Sequence, residues 1–465
     1  MPDFKANKYY TYKEIEELLV QWQQEYPHEF SYEIIGKSYE KRDIWAANLT
    51  AKTEQKASEK PAYYIDANHH AGEVTGSSVA LYTIDYLLKK YRAGDQRVKR
   101  LLTDYTFYII PRIAVDGSEK YLTTPFMLRS SVREYSPHLT TGTVMKDVDG
   151  DGRILQMRLR SNTGKFKKSE SDPRLMIRRQ PDEVIGEFYD VLIEGEIEDY
   201  DGVELKDHRT LWGLDFNRNY PMNWQPENRQ KGAGPYPLSE SETRAVAEFI
   251  ISHKNIAGIM SYHTTGGIIL RPYCTAADDQ IPATDLKSFK LLGEIGEKQT
   301  GYPCWSIYEK FTVDKGRPSV GSFMDFIYDY LGIVSFATEL WDLRGRAGLD
   351  KLDLQKRLEQ TIVEEEQDGL ALLKYSDEEF AGSLFVDWYE FEHPQLGLVE
   401  IGGWQTKFGR QIRLQACLKR NVAKTCCSPC PMPKQCPGSN GWILQLTGLG
   451  RTCTRLELNM SMPDI

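Results

Sequence analysis

The chain has 465 residues, 40% hydrophobic and 27% charged, enough apolar material for a large buried core, which excludes wholesale disorder. A formal net charge of −9 argues against a surface built to neutralise nucleic-acid phosphates. No run approaches the roughly 18 apolar residues of a membrane span, so neither nucleic acid nor membrane is expected as a partner.

The N-terminus, MPDFKANKYY, lacks the apolar stretch and small-residue cleavage site of a secretion signal. The chain is therefore expected in the cytoplasm, or outside the cell if a leader has been removed. Over residues 11–27, Ile15, Leu18, Leu19 and Trp22 recur at helical spacing behind Thr11, a suitable N-cap. FSYEIIGKS and DIWAANLT then predict a strand pair. AYYIDAN (62–68) is a continuous apolar strand of the kind buried on both faces, followed by a loop and a helix over 73–91. FYIIPRI (107–113) is a second such strand. SETRAVAEFIISH (241–253) reads as a helix running into the strand IAGIMSYH (256–263). LKSFKLLGEIGEKQT (286–300) is an amphipathic helix, and IVSFATEL (333–340) is strand-like. Strands that end in polar residues and alternate with helices predict an α/β fold around a mostly parallel sheet. Such sheets bind ligands beyond the carboxyl ends of their strands.

Cysteine usage and charge both change near residue 410. Six of the eight cysteines (Cys417, Cys426, Cys427, Cys430, Cys436 and Cys453) crowd the last 55 residues, where seven Lys or Arg face two acids. Residues 1–410 are thus expected to form one catalytic unit, and 411–465 a basic, Cys-rich tail that does not fold independently. Cys427-Ser-Pro-Cys430 has the gap of a zinc half-site, but the tail holds no His and no clean second pair. The aperiodic run KTCCSPCPMPKQCPGSNG instead suits a segment never selected as folded protein, such as an off-frame translation.

Candidate chemistry comes from three separated places. His70-Ala-Gly-Glu73 opens the predicted helix after strand 62–68, and a His and a Glu three apart can both reach one ion. His69 is adjacent, but the residue three beyond it is Gly72. His263 terminates a strand, and Glu339 closes an apolar one, where an acid is solvated or paired unless it has a function. WGLDFNRNYP (212–221) gathers Asp215, Asn217 and Arg218. Arginine suits bidentate carboxylate capture, and Asp215 could orient a metal-bound imidazole. Singly, each has a plainer explanation: a solvated pair at a helix start, a hydrogen-bonded histidine at a strand end, a polar turn before Pro221. Together, two His, one Glu and a spare Glu at a strand end are the side chains that metal-assisted peptide hydrolysis needs.

The ordered set H-A-G-E, P-R-I-A-V-D-G-S-E (111–119), L-D-F-N-R-N-Y-P, S-Y-H and F-A-T-E-L resembles the zinc metallocarboxypeptidases of the carboxypeptidase A type. The likeness runs over about residues 8–375, and includes YYTYKEIEELL and IIGKSYEKRDIWAANL near the start. It implies a mixed, mostly parallel central sheet flanked by helices and one catalytic zinc ion. It also implies a peptide substrate with a free C-terminus, cleaved at its last peptide bond. His70, Glu73 and His263 are similar to the zinc ligands. Glu339 is similar to the general base that deprotonates the metal-activated water. Asn217 and Arg218 look like the pair that holds the terminal carboxylate. An arginine in LRSSVREY should stabilise the oxyanion, with Arg133 the first choice and Arg129 the second. An amidase or deacylase acting on peptidoglycan stem peptides or acyl-amino acids is the alternative enzyme. A catalytically silent binding protein on the same scaffold is the alternative of another class.

Several departures from the family pattern stand out. A large insertion, about 134–210, includes GEFYDVLIEGEIEDYDG, expected as strands that rim or cover the cleft. Within it, Asp147, Asp149 and Asp151 alternate ahead of Gly152 like the first half of a calcium loop, although position twelve is Arg158. A structural calcium ion is therefore expected beside the zinc. Counting back from Glu339 puts Arg317 where the family carries a mobile tyrosine, with Tyr308 a distant substitute. The same count puts Met324 at the floor of the side-chain pocket, where an apolar residue argues for an apolar C-terminal side chain; Lys315 and Arg317 nearby could favour an acidic one.

Overall fold

The computed structural model describes residues 4–135, 142–205, 208–350, 359–409 and 411. Apart from Gln411, the cysteine-rich tail therefore lies outside the described residues. Seventeen strands run in chain order. The first four are β1 (Phe30–Lys37), β2 (Asp43–Leu49), β3 (Ala62–Ala67) and β4 (Thr106–Ile110). The insertion supplies β5 (Gly142–Met145), β6 (Gln156–Arg160), β7 (Phe166–Lys168), β8 (Met176–Arg178), β9 (Tyr189–Ile193), β10 (Gly195–Glu198) and β11 (His208–Arg209). Then come β12 (Ile256–Thr264), β13 (Ile268–Arg271), β14 (Cys304–Ser306), β15 (Val334–Leu340), β16 (Phe385–His393) and β17 (Gly397–Trp404).

Eight strands form the central sheet in the order β1-β2-β4-β3-β12-β15-β13-β14. The inner four, β4, β3, β12 and β15, are mutually parallel, whereas β2 and β13 join them antiparallel. The sheet is mixed around a parallel centre, as expected. All six residues of β3 are buried, because helices cover both faces. The strand's period of two divides them: Tyr63, Ile65 and Ala67 pack with Leu81, Ile84 and Leu88 on one side, and Ala62 and Tyr64 with Val246 and Phe249 on the other.

The first helix, α1 (Tyr12–Glu25), starts where Thr11 predicts, and the Glu14 carboxylate accepts the Thr11 N–H at 3.0 Å. It buries Ile15, Leu18, Leu19 and Trp22. The second helix, α2 (Val74–Arg92), follows β3 and puts Lys89, Lys90 and Arg92 in its last turn, where cations complement the exposed carbonyl dipoles.

The insertion does not stand alone. Strands β6 to β9 form a six-stranded sheet with the C-terminal hairpin, in the order β16-β17-β6-β9-β7-β8. Met157 faces Ile401 and Arg158 faces Glu400 across the antiparallel β6–β17 junction. Arg158 is buried, holds Glu400 through two bonds of 2.9 and 2.8 Å, and lies 4.4 Å from the Trp388 ring centroid. Leu155, Met157, Val399 and Ile401 make a small core of their own. The expected strands are present as β9 and β10, which pair within the insertion with β6, β7 and β5, while β6 joins it to β17 from far downstream. A second short sheet, β10-β5-β11, completes the insertion.

Candidate active site

Three of the predicted residues converge beyond the carboxyl ends of β3 and β12. After β3 the chain turns sharply at Asn68, with φ at +62°, a region that Asn tolerates better than most side chains. Its amide then donates to the carbonyls of His70 (3.1 Å) and Ala71 (3.4 Å), fixing the turn that carries His70 and Glu73. His263 ends β12. Its Nδ1 lies 3.2 Å from Nδ1 of His70 and 3.0 Å from Oε2 of Glu73, while Oε1 of Glu73 lies 2.9 Å from Nδ1 of His70. All three side chains are buried.

Asp215 settles which nitrogen of His70 carries the proton. Its ionised carboxylate can only accept, so Nε2–H of His70 donates to Oδ1 at 3.1 Å, and Nδ1 is the nitrogen left to ligate in the neutral imidazole. Two imidazole lone pairs and a carboxylate facing one another at about 3 Å repel unless a cation lies between them. Zinc holds such donors at about 2.0–2.1 Å in a tetrahedral array, which separates neighbouring donors by roughly 3.3 Å. The donor set therefore fits one zinc ion. Burial alone would raise the pKa of Glu73, but positive charge at His70 and His263 outweighs it and holds the carboxyl well below its ordinary range, a role that a cation fills once the imidazoles are neutral ligands. Burial is likewise outweighed at Asp215, where Arg129, Arg218 and His70 keep the carboxylate ionised.

Glu339 belongs to the same site through the sheet. It stands opposite His263 in the parallel register of β12 and β15, so the two side chains share a face. Its Oε2 is shut off from solvent and, among the described residues, has no hydrogen-bond partner. Burial first, and the nearby Glu73 second, push its pKa up to about 8.

The two candidate arginines lie differently with respect to the donor cluster. Arg133 turns away to Glu240, with Nη2 2.6 Å from Oε1 and Nε 3.3 Å from Oε2, and packs over Tyr135. Arg129 is the one beside the ligands: its Nε donates to Asp215 Oδ2 at 2.8 Å, and Nη1 lies 3.8 Å from Glu73 Oε1. The reason is local. Ala71 N–H donates to the Arg129 carbonyl at 2.8 Å, and the Ser130 hydroxyl donates to the His69 carbonyl at 2.7 Å, so this segment is tied to the ligand turn before the chain reaches Arg133.

Asn217 and Arg218 lie on a short helical turn capped by Asp215, which accepts the Asn217 N–H at 2.8 Å. The Asn217 side chain accepts the Phe323 N–H at 2.8 Å, which leaves its NH2 group for other partners. Arg218 donates to the Asn217 carbonyl at 2.6 Å and, among the described residues, forms no ion pair. Met324 is buried with Ile268, Leu270, Cys274 and Ala337 in an apolar cluster whose Ile268 pairs with Glu339 across β13 and β15. Arg317 is exposed on the loop ahead of Gly321, and the Tyr308 hydroxyl donates to the Lys315 carbonyl at 3.5 Å while its ring lies under the Lys315 ammonium.

Asp147, Asp149 and Asp151 do come together, with ligand oxygens within 4.8 Å of one another. The assignment to calcium finds no support. Asp147 accepts the N–H groups of Gly150 and Gly152, Asp149 accepts the Asp151 N–H and the Tyr389 hydroxyl, and Asp151 binds Arg153. These bonds account for the acidic loop as a self-closed turn.

A layer of residues behind the ligands escaped the sequence reading. The buried Asp66 accepts the Ser261 hydroxyl at 2.6 Å, and burial pushes its pKa up to about 7. His69 points away from the donor cluster to the Tyr220 hydroxyl at 2.9 Å, and stacks on His263 with centroids 5.6 Å apart. One signal was available: an aspartate inside the wholly apolar run AYYIDA needs a buried partner.

The chain is similar to several known proteins. Carboxypeptidase O from Bos taurus is 22% identical over 277 residues, covering 58% of this chain and 54% of the relative, so the chain spans about half that protein's length. Mast cell carboxypeptidase A from Mus musculus is 34% identical over 148 residues, covering 30% of this chain and 34% of the relative. Among solved structures, thrombin-activatable fibrinolysis inhibitor matches at 20% identity over 79% of this chain and 74% of its own, with a TM-score of 0.48. The family model described as zinc carboxypeptidase matches residues 15–361, and the chain belongs to the zinc carboxypeptidase family.

Proposed function

We propose that this chain is a zinc-dependent exopeptidase that hydrolyses the last peptide bond of peptides with a free C-terminus. The observation that carries the reading is the convergence of His70, Glu73 and His263 beside Glu339, with Arg218 free of any ion pair among the described residues. A zinc ion held by the three ligands supplies Lewis-acid polarisation of the scissile carbonyl and acidifies water. Glu339 takes a proton from the attacking water and returns it to the leaving amine. Its carboxylate oxygen, buried and unpartnered, is available for both transfers. Arg129, rather than Arg133, offers its guanidinium to the developing oxyanion. Asp215 holds the His70 imidazole in the tautomer whose Nδ1 faces the metal.

Arg218 and the Asn217 amide receive the terminal carboxylate, and this favours an exopeptidase over an amidase acting on internal bonds. The cluster of Met324, Ile268, Leu270 and Ala337 supports an apolar C-terminal side chain. Exposure of Arg317 to water removes the reason for preferring an acidic one.

A panel of N-blocked dipeptides and longer peptides, assayed with and without o-phenanthroline, tests the reading. Chelator-sensitive release of free apolar C-terminal residues is the expected outcome. Hydrolysis confined to peptidoglycan fragments, or peptides left intact by the zinc-loaded protein, would refute it.

A further inference from the structure

Two residues beyond Glu339 the backbone is strained. Trp341 has φ at +66°, a region that a bulky side chain occupies only when its surroundings over-determine it. The tethers are present. The Trp341 carbonyl accepts the Gly266 N–H at 3.0 Å and the Thr265 hydroxyl, both just past His263. Its indole N–H donates to the carbonyl of Gly409 at 3.0 Å. Gly409 lies on a C-terminal strap that follows β17, well beyond the stretch matched by the family model.

The strap is itself fastened to the catalytic unit. Gln405 N–H donates to the Leu384 carbonyl at 2.9 Å, and the Tyr121 hydroxyl donates to the Lys407 carbonyl at 2.7 Å. The Lys407 ammonium reaches the Thr124 carbonyl and lies 4.6 Å from the Tyr121 ring centroid. At its end, the Gln411 amide lies flat against Gly72, between the ligands His70 and Glu73. A Cβ at residue 72 would come within 2.6 Å of Gln411 Nε2 and of the Tyr121 ring. One strap thus touches the turn that carries two metal ligands and the turn that follows the general base.

We propose that residues 405–409, together with Gln411, are a positioning element of the active site. Through Trp341 they fix the Glu339 carboxylate against His263, and through Gln411 they fix the His70–Glu73 turn. This inference rests on the roles given above to Glu339 and the three ligands. Relaxing Trp341 to an ordinary extended conformation would redirect the chain two residues from the base, and displacements of about 1 Å at a reacting group cost about a hundredfold in rate.

The test uses the full-length protein and two variants. Trp341→Phe keeps a ring but loses the donor to Gly409, and Gln411→Ala removes the amide at Gly72. Trp341→Phe should lower kcat about tenfold with little change in KM, and should move the acidic limb of the kcat–pH profile. Gln411→Ala, at the strap's partly exposed end, should weaken zinc binding about fivefold when measured by competition with a chromophoric chelator. A contact that serves stability alone would lower Tm while leaving kcat, the pH profile and zinc affinity at wild-type values, and that pattern overturns the proposal. If wild-type protein releases no C-terminal residue from any peptide but Gln411→Ala still weakens zinc binding, the exopeptidase reading fails and the strap's role stands.

Discussion

Replacing Arg129 and Arg133 separately by alanine should give opposite phenotypes. Arg129 contacts Asp215 and approaches Glu73, and 42% of its side chain stays open to solvent, so part of the guanidinium remains accessible to a substrate. Losing one donor aimed at a developing oxyanion costs about 10²–10³ in kcat, equivalent to roughly 3–4 kcal/mol of transition-state stabilisation. Arg133 has a different task. Its partner Glu240 is only 3% exposed, so Arg133→Ala leaves a buried carboxylate with only the Ser239 hydroxyl as its side-chain donor. Breaking a buried pair costs about 3–5 kcal/mol, and the partial exposure of Arg133 reduces that to about 2–3. The expected outcome is therefore a hundredfold or greater loss of kcat in Arg129→Ala, on the scale of about 10²–10³. Arg133→Ala should instead show a Tm lowered by roughly 3 °C and kcat close to wild type. Steady-state assays on one N-blocked dipeptide and calorimetry on both proteins read the two quantities independently. A near-normal kcat in Arg129→Ala, with a hundredfold loss in Arg133→Ala, would refute the assignment.

Three further outcomes follow from the same geometry. Glu339→Gln should abolish turnover, a loss of about 10²–10⁴ for a missing acid–base group, while metal analysis still finds one zinc per chain; normal turnover would exclude its role. Arg218→Lys keeps the charge but loses the planar fork, so KM for a free carboxylate should rise about tenfold or more with a smaller change in kcat. An unchanged KM would move the carboxylate elsewhere. Glu242, 1% exposed on the helix Ser241–Ser252, has its pKa pushed up to about 7 by burial. The unfolded chain ionises near the ordinary Glu value while the folded chain stays protonated, so this group's contribution is complete in acid and is lost as pH rises towards about 7. Glu242→Gln should therefore gain stability over wild type across that window, by up to about 3 kcal/mol. Denaturant melts at pH 4.5 and 7.5 check it, and a pH-independent difference would contradict it.

Much of the central sheet was legible because its inner strands are buried on both faces. Runs such as AYYIDA and IAGIMSY carry that burial openly in their composition. The ligands were legible only in part. H-A-G-E is a local pattern, but nothing local to His263 says that it stands across a strand from Glu339; that pairing is a register, fixed by β12 and β15 after folding. Which of the two arginines lies near the donor cluster was illegible for a related reason. Arg129 and Arg133 lie on one short segment, and what separates them is a pair of hydrogen bonds, from Ala71 and Ser130, to residues some 60 positions away. The union of the insertion with the hairpin β16–β17 was invisible, because pairing between Met157 and Ile401 leaves no trace in either strand alone.

The charges at the site explain why its parts hold together only as a set. Glu73, Asp215 and Glu339 bring three carboxyl groups to one buried region, where each unpaired charge is expensive. Among the protein's own groups, Arg129 answers Asp215 directly and Glu73 only at 3.8 Å, and it has no hydrogen bond to Glu339. The imidazoles cannot make up the difference and still ligate, since a ligating nitrogen must be unprotonated. A divalent cation resolves this conflict: it answers Glu73, needs the neutral imidazoles, and lowers the cost of ionising Glu339 opposite His263. The proposed base is thus the group whose ionised form would gain most from a cation at the donor cluster, so the Glu339 role put forward above would depend on metal occupancy.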